Sequence, residues 1–179
     1  MQSTRSFRLF LGFSINQTQS IEIYDLQQKL KPNINTDAIA IPSANLHMTL
    51  GFLGLVNPNV YHTLITAINE MPKGHCNQII DTLTLWEKPQ IISLKGKATP
   101  QLQTMAQTVN AIAKMLNLYH TEHDYIPHIS LFRHAKTYSP PIIASEICLE
   151  IAPTNLHLYQ SVNTTKTVNY SIFRSWPLV

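Results

Sequence analysis

The chain has 179 residues, 44% hydrophobic and 13% charged, with a formal net charge of +3 and a pI near 8.9. That length accommodates one domain with a full core, or two closely packed lobes, and excludes two ordinary independent domains. Charged residues at about half the usual quarter imply a surface rich in Asn, Gln, Ser and Thr, and scattered lysines exclude the concentrated basic stripe of a committed nucleic-acid binder while still permitting an anionic partner.

Two cysteines, Cys76 and Cys148, cannot build a disulfide framework, and neither has a second cysteine at metal-ligand spacing. They are expected to be reduced thiols, with Cys148 packed in or near a sheet. Phe7 to Ile15 is apolar but interrupted by Arg8 and too short for a signal segment, and no stretch approaches 18 apolar residues. The expectation is a cytoplasmic protein with no membrane span.

Along the chain, Phe7, Leu9, Leu11 and Phe13 alternate as in a half-buried strand. Ile23, Leu26 and Leu30 then have helical spacing, with Thr18 or Ser20 as the cap and Pro32 as the stop. Leu46 to Leu53 reads as a strand ending at Gly54. Asn57-Pro58 opens a second helix, because Asn caps well and Pro is tolerated in the first turn, and Val60, Leu64 and Ile68 are its buried stripe. Ile79 to Leu85 and Ile91 to Leu94 read as strands separated by a turn at Lys88-Pro89. Thr99-Pro100 starts the longest helix, whose apolar face is Leu102, Met105, Val109, Ile112 and Leu116. Four further strands are expected, at Ile126–Phe132, Ile143–Ile151, Leu156–Ser161 and Val168–Trp176. Mixed elements with strands dominating the C-terminal third argue for α+β with mostly antiparallel pairing.

Two of these strands carry the same phrase. Asn45-Leu46-His47-Met48-Thr49-Leu50 and Ile126-Pro127-His128-Ile129-Ser130-Leu131 each place His, an apolar residue, a hydroxyl and Leu in that order. Eight histidines among 179 residues, with Ser and Thr abundant, give roughly one such His-x-hydroxyl pair by chance, so the apolar strand context must carry the argument. Side chains two apart on a strand share a face, so each copy aims an imidazole and a hydroxyl the same way while the residues between them enter a core.

Paired imidazoles suit phosphoester chemistry near neutral pH. One takes a proton from the attacking water, the other gives a proton to the leaving oxygen, and hydroxyls donate to phosphate oxygens. Arg133, three residues after Ser130, offers a guanidinium fork, but its odd offset from His128 requires the strand to end, bulge or twist before it can reach the same cleft. His120-Thr121-Glu122-His123-Asp124 has no metal-helix spacing, and no metal site is expected there. His62, His75, His134 and His157 lack any partner pattern and are expected at the surface.

In this order the residues resemble the 2H phosphoesterases, and within them the bacterial RNA 2′,3′-cyclic phosphodiesterases once called 2′-5′ RNA ligases. Arg8-Leu9-Phe10 is similar to that family's first strand, Pro42 through Gly54 to its first signature, and Pro127 through Arg133 to its second. Trp86 with Lys88 through Leu94, Leu158 through Ser161, and Tyr170 resemble further stretches, so the likeness covers nearly the whole chain. It implies a bilobal, pseudo-twofold α+β fold over residues 1–179, with two mostly antiparallel sheets, outer helices and a central groove. It also implies a cofactor-free, metal-independent site, with His47 and His128 carrying the acid and base roles and Thr49, Ser130 and Arg133 binding phosphate. The likeness leaves open which His is the acid, and our own assignment is His47 as the acid at the leaving oxygen and His128 as the base on water. The implied reaction opens a 2′,3′-cyclic phosphate on an RNA 3′ end or a nucleotide and leaves a 2′-phosphomonoester. Ser130 stands where Thr is commoner, and Ile91-Ile92-Ser93 lacks a frequent Trp.

Two other functions fit the same groove, a 2′-5′ RNA ligase and a non-catalytic binder of RNA ends. The sequence has no Walker-type loop for nucleotide activation, which limits ligation to reversal of the cyclic-phosphate reaction. Retention of both histidines and both hydroxyls argues for chemistry over simple binding, which lysines would serve. A monomer is expected.

Overall fold

A computed structural model describes residues 6–137, 147–163 and 168–179. Their chain order is β1 (Phe7–Ser14), α1 (Gln17–Leu30), β2 (Ile39–Ala40), β3 (His47–Val56), α2 (Pro58–Glu70), β4 (Gln78–Ile80), β5 (Thr82–Trp86), β6 (Ile91–Lys95), α3 (Pro100–Met115), β7 (His128–Arg133), β8 (Leu149–Ile151), β9 (Asn155–Asn163) and β10 (Val168–Pro177). The expected strand over Ile143–Ile151 lies partly outside the described residues; its described part is β8.

Each helix starts where local chemistry satisfies its first free N–H groups. Asn57 caps α2 through Asn59 N, Thr99 caps α3, and both helices have Pro in the first turn. In α1 the cap is Asn16 rather than Thr18 or Ser20. Its side chain accepts from Gln19 N while the Gln19 side chain accepts from Asn16 N, a reciprocal box that a cap inside the helix cannot form. The expected strand from Ile79 to Leu85 is broken at Asp81, and its first part, β4, leaves the main sheet to pair with β8.

The main sheet is antiparallel throughout, in the order β10-β9-β1-β3-β7-β6-β5, with β2 added beside β7. The two sheets expected from the sequence are therefore joined edge to edge. Their seam is thin, because β3 and β7 pair only at Met48 and Ile129. The helices cross it: α1 packs on β7 although it follows β1 in sequence, and α3 packs on β3. One core results, in which Leu9, Leu11, Phe13, Met48, Ile129 and Leu131 are fully buried together with Leu64, Ile68, Leu102 and Val109 of the helices. Burying a side chain of this size stabilises by about 1.5–3 kcal/mol. Among the described residues no helix is long and apolar enough to cross a membrane.

Candidate active site

The single seam pair determines what faces the groove. Met48 and Ile129 are the middle residues of the two His-x-hydroxyl copies, and both point into the core with no exposed surface. Residues opposite one another in an antiparallel pair share a face, and their immediate neighbours take the other. His47, Thr49, His128 and Ser130 flank the pair, so all four lie on the side away from the core, and all four are half-buried.

The two imidazoles are held alike. His47 Nδ1 lies 2.7 Å from Asn45 O, and His128 Nδ1 lies 2.8 Å from Ile126 O. A carbonyl oxygen only accepts, so each Nδ1 carries hydrogen and each Nε2 is left to give or take a proton. Asn45 is itself buried, and its side chain donates to Val168 O and accepts from Tyr170 N, which ties β10 against the first copy.

Their surroundings differ. His47 sits among Phe10, Tyr170 and Tyr159, with ring centroids 4.8, 4.9 and 5.8 Å away. Among the described residues His128 meets one ring, that of Trp86, nearly perpendicular to it with centroids 4.5 Å apart. Burial lowers the affinity of both imidazoles for a proton, and each Nδ1 bond to a carbonyl partly offsets this. A positive charge on His128 lowers His47 further. Burial and the mutual repulsion of two positive rings thus favour a site in which the imidazoles are not both protonated in the free protein.

Arg133 reaches the groove by the bulge that its offset demands. On β6, Ile92 and Ser93 are consecutive, but they face Phe132 and Ser130 on β7, so Leu131 is the extra residue. This shifts the alternation by one, and Arg133 joins His128 and Ser130 on the groove side. The first copy does the same thing at the same place: Leu11 and Gly12 face Gly51 and Thr49, leaving Leu50 as the extra residue. The Leu that ends both phrases is thus the bulge residue. Close approach of the strands here also requires Gly12, because a Cβ there would lie 2.7 Å from Met48 O.

Where the second copy has Arg133, the first has Phe52, and the Arg8 guanidinium stands over its ring at 5.1 Å from the centroid. His47, Thr49, Ser130, Arg133, Phe52 and Arg8 all line a groove of ≈ 380 Å³, within the range of small-ligand sites. His128 is not on that lining; it stands on the same strand face two residues from Ser130, near enough for its charge to act on His47. The structure therefore brings His47, Thr49, Ser130 and Arg133 into one groove and sets His128 beside it.

Arg8, Phe10 and Tyr170 belong to the groove as well, although nothing in the sequence motifs assigned them to the site. The signal for the first two was present, because Arg8, Phe10 and Gly12 occupy the face of β1 opposite Leu9, Leu11 and Phe13. Two expectations are corrected. His157 is not at the surface: it is buried, with Nδ1 2.8 Å from Ser175 Oγ and Nε2 3.3 Å from Ser14 Oγ, because β9 lies inside the sheet between β1 and β10. Cys148 is exposed just ahead of β8, while Cys76 is the buried thiol. His120 pairs with Glu122 at 3.6 Å, and among the described residues no three His, Cys, Asp or Glu side chains gather as a metal site.

Neither a family model nor a curated protein matches the sequence. Solved structures do. A crystal structure of a phosphoesterase is 20% identical over 97% of this chain and 98% of its own, with a TM-score of 0.85. E. coli LigT complexed with 3′-AMP is 22% identical over the same shares, also at 0.85. A Thermus thermophilus protein is 18% identical over 96% of this chain and 97% of its own, at 0.78. The fold is that of the LigT-type 2H phosphoesterases.

Proposed function

We propose that this chain is a phosphoesterase that hydrolyses 2′,3′-cyclic phosphates, on RNA 3′ ends or on nucleotides, to 2′-phosphomonoesters without a metal ion. The observation that carries this is the matched pair of Nδ1-to-carbonyl hydrogen bonds, which leave two Nε2 atoms and two hydroxyls on one sheet face. The fold's likeness to LigT supports the ligand class, since solved structures of E. coli LigT are complexed with 3′-AMP, NADP+ and ATP.

In the proposed reaction, neutral His128 takes a proton from water as the water oxygen bonds to phosphorus. The P–O3′ bond breaks, and protonated His47 gives its proton to O3′. Thr49, Ser130 and Arg133 donate to the phosphate oxygens, whose negative charge grows as the fifth oxygen arrives. This order needs a proton on His47, which burial disfavours, and a bound phosphate anion offsets that by favouring the charged ring. Exchange with solvent then returns a proton to His47 and removes one from His128.

Incubation with 2′,3′-cyclic AMP in the presence of EDTA tests the proposal. The expected product is 2′-AMP, formed at an unchanged rate when EDTA is added. Formation of 3′-AMP would reverse the leaving oxygen, binding without turnover would make the protein an RNA-end binder, and abolition by EDTA would contradict the metal-free mechanism.

A further inference from the structure

Gln27 is a buried amide in an otherwise apolar helix face. It lies on α1 with Ile23 and Leu30 and is 4% exposed, although leaving such a group unbonded in a core is costly. Its Nε2 donates to two carbonyls, Ile41 O and Leu131 O, both at 2.9 Å. Those acceptors are not arbitrary backbone. Leu131 is the bulge residue without a partner on β6, and its carbonyl also takes the N–H of Ile41 at 2.8 Å. Immediately before Ile41, β2 pairs Ala40 with Phe132 and Ile39 with Arg133.

One amide thus ties together the two backbone segments that carry and flank Arg133. Among the described residues no side chain is seen to aim Arg133: its Nε is buried without an acceptor and it has no carboxylate partner. Its direction depends on the backbone. Loss of the one-residue bulge would restore simple alternation and turn Arg133 toward the core side.

We propose that Gln27 is a positioning residue for Arg133, its amide holding the Leu131 bulge that turns the guanidinium into the groove. This rests on the reading that Arg133 grips the substrate phosphate. The test is a cycle of Gln27→Met, Arg133→Ala and the double variant, read as kcat and KM for 2′,3′-cyclic AMP and as Kd for inorganic phosphate. Gln78→Met serves as a control, since Gln78 is an equally buried amide bonded to Ile79 O and Lys97 O.

Gln27→Met is expected to lower kcat/KM and weaken phosphate binding about tenfold, mainly through KM. In the Arg133→Ala background it should change either by less than twofold, whereas any effect of Gln78→Met should be the same in both backgrounds. A full Gln27→Met loss on top of Arg133→Ala, or none in the parent protein, overturns the proposal. An Arg133→Ala variant that binds phosphate like the parent overturns the reading beneath it as well. Should Gln27→Met fail to fold, Gln27→Asn keeps the amide, shortens its reach and enters the same cycle with the same expected outcome. Absence of turnover in the parent would refute the proposed reaction, while the phosphate cycle still decides the role of Gln27.

Discussion

The His47 half and the His128 half of the groove are built by the same backbone device and furnished differently. Each has a His with Nδ1 on the carbonyl two residues back, a hydroxyl two residues on, and a bulged Leu after that. The first half surrounds its His with three aromatic rings and ends in Phe52 under Arg8. The second gives its His one ring and ends in Arg133. In the proposed reaction the repeated parts are the two proton-moving rings and a phosphate-facing hydroxyl each, and the unlike parts are Arg133 and Phe52, which would grip the ligand differently. An asymmetric substrate, with a phosphate and a leaving nucleoside oxygen, calls for that combination.

If the halves are a matched acid–base pair, the largest losses come from the histidines: His47→Ala or His128→Ala should each reduce turnover by about 10² to 10⁴ fold. If their grips are unlike, Arg133→Ala should cost about 10- to 100-fold in kcat/KM, as expected for a charge-assisted contact. Phe52→Ala, at the matching position, should act only modestly and through KM. Equal effects at Phe52 and Arg133 would break the asymmetry.

The pH profile sharpens the comparison. Burial lowers both imidazoles below the usual 6.5, so kcat/KM should follow a bell with its maximum below that value. The same shifts bear on stability. With the folded value depressed, the unfolded chain binds more protons just below pH 6.5, and stability is lost as pH falls through that window. Denaturant midpoints measured between pH 7 and 5 should drop accordingly, and His157, also lowered by burial, adds to the slope without belonging to the site. Smallest of all, Asn16→Ala should cost about 1 kcal/mol of stability by removing the α1 cap, with kcat/KM unchanged.

The sequence made the repeated phrase legible because strand alternation is local: His47 with Thr49, and His128 with Ser130, share a face whatever the rest of the chain does. The helices α2 and α3 were legible for the same reason, through Asn57-Pro58 and Thr99-Pro100. A bulge is not local. Which residue of β7 lacks a partner on β6 depends on pairing between segments distant in sequence, so the route of Arg133 into the groove could be stated only as a condition. The crossing of α1 onto β7 and the burial of His157 by β10 are likewise tertiary facts. Gln27 shows the limit well, because a polar residue between Ile23 and Leu30 looks like an interruption of the apolar face until its two carbonyl partners are known.

The claim that two copies of one phrase make one catalytic pair is tested most directly by the double variant His47→Ala/His128→Ala beside its two single parents, assayed on 2′,3′-cyclic AMP at the optimum pH. Groups that act as a unit are strongly non-additive. The pair predicts that the double variant loses about as much turnover as either single one. Independent losses that multiply, or near-parental activity in either single variant, would contradict it.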